Sequence, residues 1–377
     1  MRIIHIVENL DKGAVENWLI NTFLESRKER PLWNWTFYCI LGKQGRLDDV
    51  VRAAGGEIIY SPVSISHKLM FLQHLRKTLK TGNYDIIHSH HDYLSGFYLI
   101  ASFGISFQKR LLHVHNNDKA IPVGNAQLRR VLLPVFERLA IHFSDTIVGI
   151  SENTLLEFTK GKKWKGRKCC VLYYGIDLKA FGQKVESPDI LEELNLPKDA
   201  KVLLFAGRMN KEKNPVFLVD ILKCLNRNRQ DVYGLFVGAG DEALQVKSKA
   251  VDLGVLNFIR MIGWRNDIPA IMKAATAFVF PRMLVPKEGL GLVVVEAQAA
   301  GLPMFLSNGI VADAVEIPAL ATFLPLNNNP EEWAHSIESL LNASTVPYDR
   351  EKAYQRMQQS RFELTRATRN FMELYEN

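Results

Sequence analysis

Cysteine is scarce in this chain: Cys39, Cys169, Cys170 and Cys224 are the only four, and their spacing fits neither a disulfide framework nor a metal site. The adjacent pair Cys169-Cys170 reads as strand packing. Long apolar runs are also missing. No segment reaches the roughly 18 uncharged apolar residues that a membrane-crossing helix requires, and the start, MRIIHIVENLDKG, turns acidic too early for a secretory leader. A cytoplasmic protein is therefore expected. GxGxxG and P-loop spacings do not occur, which removes the commonest glycine-rich phosphate fingerprints. There is no Asp-x-Asp pair and no cysteine near the histidine clusters, so neither a metal nor any other cofactor is expected. Zinc-finger spacing, RNA-binding aromatic signatures and arginine-rich tails are lacking as well, which argues against nucleic acid as a partner.

What is present is enough for two folded cores. A 47% hydrophobic, 10% aromatic composition belongs to a globular protein, and 377 residues exceed the length of one typical domain. Positive charge is concentrated in the first half: residues 1–183 hold 25 Lys and Arg against 16 Asp and Glu, whereas 184–377 hold 22 against 24. It is densest in 160-KGKKWKGRK-168, a solvated loop or a surface for phosphates, anionic lipid ranking above nucleic acid.

Short β-branched and aliphatic runs alternate with helical patterns along the whole chain. Strands are expected at 2–7, 35–41, 57–60, 84–89, 110–115, 145–150 and 169–174, and again at 201–207, 232–238, 257–263, 277–281, 303–307 and 321–324. Near-continuous apolar strands separated by helices imply parallel sheets covered on both faces. The polar stretch 177–200, with Pro188 and Pro197, reads as a linker. The expected class is α/β, with one doubly wound domain over 1–180 and a second over 181–348. A charged helical pattern over 349–377, striped by Met357, Phe362, Phe371 and Tyr375, has no strand to feed and is free to reach back to the first domain.

Parallel sheets bind ligands at the carboxyl ends of their strands, and the chemically interesting residues fall there. Gly13 sits in the loop 8-ENLDKGAVEN-17 before a helix, where backbone amides favour an anion. Arg208 and Lys213 flank the turn 207-GRMNKEKNP-215, and together they can neutralise a leaving diphosphate without a metal; a solvated basic turn is the plainer reading. His88, His90 and His91 end one strand and His113 and His115 another. Such histidines can orient a sugar hydroxyl or share a proton, while His113, set deeper, reads as core. The stretch 286-PKEGLGLVVVEAQAAG-301 carries Glu288 and Glu296 among glycines, and an ionised carboxylate can grip two vicinal hydroxyls.

The segments 10-LDKGAVENWL-19, 88-HSHH-91, 115-HNN-117, 173-YYGID-177, 205-FAGRMNKEKNP-215, 236-FVGAGDE-242, 263-GWRND-267 and 280-FPRMLVPKEGLGLVVVEAQAAGLP-303, in this order, closely resemble the retaining nucleotide-sugar glycosyltransferases of family GT4. The most specific element is the pair of glutamates separated by seven residues. The resemblance implies the GT-B fold, two facing Rossmann-like domains with parallel sheets and a C-terminal helix crossing back to the first, acceptor-binding domain. It implies that Arg208 and Lys213 hold the donor diphosphate together with a backbone amide from Gly13. Glu288 would meet the transferred sugar beside Gly289, Leu290 and Gly291, while Glu296 takes the ribose hydroxyls. Gly263, Trp264 and Arg265 would lie along the base. His115 matches the histidine near the anomeric centre, and His88, His90, His91 and Asn116 fall on the acceptor side. Departures are Asn214 where the family usually has glycine, and Asn308-Gly309 ahead of Glu316 where a glycine-rich loop is common.

The resemblance further implies transfer of a hexose or N-acetylhexosamine from a nucleotide sugar. A UDP-sugar is favoured, with GDP-mannose a second option, and the acceptor would be a glycan hydroxyl on a polyprenyl diphosphate lipid. The basic first half, the Trp164 loop and the amphipathic 126-AQLRRVLLPVFERLAIHF-143 suit peripheral docking on an anionic membrane face. Two rivals are a GT-B nucleotide-sugar 2-epimerase and a non-catalytic scaffold subunit. Glu288, Glu296, Arg208 and Lys213 occurring together argue against the second.

Overall fold

A computed structural model describes residues 1–11, 13–116, 126–161, 168–182, 190–327, 329–343 and 348–377, with backbone alone for 126–130. It divides into two compact units, residues 1–176 with 361–377 and residues 177–360.

The first unit is a seven-stranded sheet with every pairing parallel. Its strands are β1 (Arg2–Val7), β2 (Asn34–Cys39), β3 (Glu57–Tyr60), β4 (Ile86–Ser89), β5 (Lys109–Val114), β6 (Thr146–Gly149) and β7 (Lys168–Val171), in the order β3-β2-β1-β4-β5-β6-β7. The core strands are apolar on both faces because helices cover both, as parallel pairing requires; Ile3, Ile4, Ile6, Ile86, Ile87, Leu111 and Leu112 are wholly buried. The second unit repeats the plan with six strands, β8 (Lys201–Ala206), β9 (Val232–Val237), β10 (Ile259–Gly263), β11 (Ala277–Phe280), β12 (Met304–Ser307) and β13 (Ala321–Leu324), ordered β10-β9-β8-β11-β12-β13. In each sheet the strand order reverses once, between β1 and β4 and between β8 and β11. Those two points are where an open parallel sheet offers a crevice to ligands.

The 349–377 pattern is not one element. Helix Arg350–Gln358 belongs to the second unit and helix Leu364–Glu376 to the first, so the chain divides after Ser360 rather than at 348. The stripe read from the sequence is split accordingly: Met357 is buried in one unit, and Phe362, Phe371 and Tyr375 in the other. The outgoing chain leaves the first unit beside the returning one. Ile176 N–H donates to the Phe362 carbonyl at 2.9 Å, and a Cβ on Gly175 would stand 2.7 Å from that of Ala367. Helix Leu364–Glu376 then lies along helix Ala14–Glu29, tied by Arg369 to Glu29 at 2.8 Å, Thr365 to Glu25 at 2.9 Å and Arg30 to Glu376 at 2.8 Å. The 177–200 stretch contains two short helices, Lys179–Gly182 and Ile190–Glu193. Asn117, and Trp164 with most of its basic loop, lie outside the described residues.

Candidate active site

In the second unit the predicted residues converge on the switch point between β8 and β11. The loop after β8 carries Arg208 and Lys213, and the loop after β11 carries Arg282 and Glu288; the two are joined by Met283 N–H donating to the Glu212 carbonyl at 2.7 Å. Lys213 is the hub. Its ammonium lies 5.3 Å from the centre of the Phe280 ring and 3.7 Å from Glu288 Oε1. Glu288 Oε2 meets Arg282 Nη1 at 2.9 Å, and Arg282 is itself buried and donates to the Pro286 carbonyl. Arg208, by contrast, is exposed and has no ion-pair or hydrogen-bond partner for its guanidinium among the described residues. Two cations thus hold one carboxylate, and the loop that supplies Lys213 carries a third cation, Arg208, left over for an anionic ligand.

Glycine makes this crowding possible. Gly238 adopts φ +125°, and a Cβ there would fall 2.0 Å from the Gly207 carbonyl oxygen; its N–H donates to the Gly263 carbonyl at 2.7 Å. The ends of β8, β9 and β10 are stitched together through backbone that no larger residue would admit. Asn214, at the family's glycine position, has φ +51°, a conformation that asparagine tolerates better than most side chains.

Helix Leu292–Ala299 begins at Gly291, which sits at φ +81° as its N-cap. The valine run packs this helix, with Val294 and Val295 wholly buried. The buried Gln298 amide donates to the Val294 and Ala314 carbonyls and accepts from Glu316 and Ile317 N–H, fixing the helix to the loop beyond β12. Glu296 rides on this helix. Burial of its carboxyl pushes its pKa up to about 7, and Lys213 pulls it back towards the ionised form. Leu290 is buried, so only its backbone can meet a ligand. Trp264 stands 71% exposed at the end of β10, whereas Arg265 is clamped by Asp267 and Glu193. Glu316 pairs with Arg356 at 2.7 Å.

In the first unit the switch point is filled rather than open. His5 on β1 pairs in register with His88 on β4, and His5, His88, His90, His113 and His115 stack with ring centroids 4.3–5.5 Å apart. All five are buried, and desolvation pushes every one below its ordinary pKa, His5 and His113 to about 3. His88 Nδ1 bonds the Tyr375 hydroxyl at 2.7 Å, so the returning C-terminal helix closes the stack. Trp18 covers it, stacked on Tyr174 at 4.4 Å and edge-on to His113 at 5.2 Å. His91 and Asn116 reach the surface, whereas His88 is inaccessible. Gly13 N–H donates locally to the Asp11 carbonyl at 3.0 Å, and the Glu16 carboxylate fills the space beside it. Two histidine trios, His5-His88-His90 and His90-His113-His115, bring three ring nitrogens within 4.8 Å.

His5, Tyr174 and Arg282 were not singled out from the sequence, and Tyr375 was read only as part of an apolar stripe. A histidine inside the otherwise aliphatic RIIHIV was the available signal for the first. Nothing local marks the partners of the two tyrosine hydroxyls, which lie 59 and 287 residues away.

Two family models match consecutive stretches: Glycosyltransferase Family 4 over residues 36–180, and Glycosyl transferases group 1 over 186–360. The crystal structure of Anabaena HepE in complex with UDP superposes with a TM-score of 0.81 at 19% identity, covering 100% of both chains, and the fold is GT-B. An Escherichia coli UDP-Gal:α-D-GlcNAc-diphosphoundecaprenol α-1,3-galactosyltransferase is 29% identical over 273 residues, 70% of this chain and 67% of that one. The Staphylococcus aureus capsular polysaccharide biosynthesis glycosyltransferase CapH is 24% identical over 345 residues, 91% of each chain. The class is therefore that of the GT-B glycosyltransferases. Within it, the chain belongs to family GT4, the group 1 glycosyltransferases.

Proposed function

We propose that this protein is a retaining, metal-independent glycosyltransferase of bacterial surface-polysaccharide assembly. It moves a hexose or N-acetylhexosamine from a UDP-sugar to a hydroxyl of a lipid-linked glycan. The observation that carries this reading is the cluster at the β8/β11 switch point: Lys213 between Glu288 and Phe280, with Arg208 on the same strand-end loop and unpaired among the described residues. Arg208 and Lys213 take the diphosphate, so the charge built up on departure is neutralised by protein cations. Glu288 accepts hydrogen bonds from the transferred sugar and Glu296 from the ribose, while Trp264 offers its exposed face to the base. The bond from the anomeric carbon to the diphosphate oxygen breaks as the acceptor oxygen bonds to that carbon. The acceptor proton passes to the departing diphosphate oxygen, leaving UDP. His115 flanks the reacting sugar, with His91 and Asn116 on the acceptor side.

The E. coli relative's UDP-galactose donor and α-D-GlcNAc-diphosphoundecaprenol acceptor, the role of CapH in capsule synthesis and the UDP held by HepE support the choice of substrates. Docking on an anionic membrane face is supported by helix Ala126–Phe143, which exposes Val131 and Val135; among the described residues no helix is long and apolar enough to cross a membrane. The test is a thermal-shift series with UDP, GDP and ADP, followed by transfer from UDP-hexoses in the presence of EDTA. Stabilisation by UDP and anomeric retention in product formed under EDTA are expected. No shift with any nucleotide would remove the donor site, and loss of transfer under EDTA would remove metal independence.

A further inference from the structure

We infer that Tyr174, His115, His90 and His5 form one hydrogen-bonded relay running inward through the first unit, and that Tyr174 sets its direction. Tyr174 and His90 are then positioning residues for His115; the catalytic meaning of this, though not the relay itself, rests on the role given to His115 above.

The geometry is continuous. The Tyr174 hydroxyl bonds His115 Nδ1, His115 Nε2 meets His90 Nδ1 at 3.0 Å, and His90 Nε2 meets His5 Nδ1 at 3.0 Å. Each of His115 and His90 spends one nitrogen on each neighbour. Burial among other imidazoles keeps the rings neutral, and a neutral imidazole has one N–H and one bare nitrogen. Every link must therefore point the same way, and only two arrangements exist.

Running inward, Tyr174 donates to His115 Nδ1, His115 Nε2–H donates to His90, and His90 Nε2–H donates to His5. The single loss is at His5 Nε2, which has no partner among the described residues. Running outward, His115 Nδ1–H donates to the Tyr174 oxygen. His5 Nε2 is still unpartnered, and the hydroxyl proton of Tyr174, a residue only 3% exposed, has no other acceptor among the described residues. An unmade buried hydrogen bond costs about 1–3 kcal/mol, so the inward direction wins. The relay thereby fixes both the tautomer of His115, with its proton on Nε2, and the plane of its ring.

Proton sharing fits the spacing better than a metal does. Zinc bound tetrahedrally at about 2.0–2.1 Å would hold two ligand nitrogens about 3.3 Å apart, longer than the 3.0 Å contact between His90 and His115. His113 supplies an internal control. It stacks on His88 and His115, yet neither of its nitrogens has a partner among the described residues, so it belongs to the packing and not to the relay.

The test is nitrogen NMR on the full chain labelled with 15N-histidine, reading which ring nitrogen of each histidine carries the proton. Wild type should show His115, His90 and His5 each as a single tautomer protonated at Nε2. Tyr174→Phe should redistribute the proton on all three, including His5, which does not touch Tyr174, and should lower kcat about tenfold with KM for the UDP-sugar unchanged. His113→Phe should leave the three tautomers in place. A change confined to His115 in Tyr174→Phe would overturn the relay, as would equal disruption by His113→Phe or stoichiometric zinc in the purified chain. Redistributed protons with unchanged kcat would keep the relay and remove His115 from the chemistry, separating failure of this inference from failure of the proposed function.

Discussion

The two units share one topology and use its switch point in opposite ways. Between β1 and β4 the first unit packs five neutral imidazoles under Trp18, Tyr174 and Tyr375, leaving little polar surface. Between β8 and β11 the second unit gathers Arg208, Lys213, Arg282 and Glu288 on strand-end loops, with Glu296 on the helix that follows, where glycines let the backbone pack closely. The difference shows how one scaffold serves two ends. Rings that bury without charge stiffen a sheet, whereas charges left partly unpaired, on backbone that cannot carry side chains, make a site for an anion. Fold alone therefore does not place a ligand; the chemistry filling each crevice does.

The sharpest way to break this contrast is to remove charge from the second unit. Lys213→Ala or Arg208→Ala should lower kcat for sugar transfer by tens- to hundredfold, since each charge-assisted contact contributes on the order of 1.5–3 kcal/mol. Steady-state kinetics at saturating acceptor would show it, and near-unchanged turnover would take the residue out of the mechanism. Next is Gly238→Ala, which sets a Cβ 2.0 Å from the Gly207 oxygen at φ +125°. We expect a loss of about 2–3 kcal/mol, a Tm drop of about 5–10 °C by calorimetry.

Glu296 gives a pH test. Its folded pKa is raised from 4.5 to about 7, so the folded state holds this proton more tightly than the unfolded chain. The associated stability is fully present below pH 4.5 and is lost as pH rises through 7. Relative to wild type, Glu296→Gln should gain Tm across that window, by about 3–5 °C, and then level off; parallel melts at pH 4.5, 6 and 8 would reveal a flat difference if the idea is wrong. The smallest effect belongs to the first unit. Tyr375→Phe strips His88 Nδ1 of its hydrogen bond, costing about 1–2 kcal/mol of stability, and should leave the nucleotide-induced thermal shift unchanged.

Much of this was legible in the order of residues. All thirteen strands lie where aliphatic runs predicted them, because a strand buried on both faces must be apolar throughout. Lys213 and Glu288 were recognisable because they stand in strand-end loops, where a polar side chain has no packing reason to be, and Glu296 because it follows Glu288 after seven residues, the spacing that carries the family resemblance. The C-terminal pattern misled where 350–358 and 364–376 share a periodicity but belong to different units; amphipathic spacing tells a helix that it must bury a face, not which core will take it.

The sequence by itself thus determined the α/β class, the strands and the loops that carry the charge, since these depend on periodicity and on glycine, both local properties. Only the tertiary structure decided that His5 meets His90, that Tyr375 closes on His88 and that Arg282 rather than solvent holds Glu288. Those pairings join strands and helices that are distant in the chain or sharply turned, and parallel register and the chain's return at Glu363 bring them together. No local pattern encodes which buried nitrogen will find which hydroxyl.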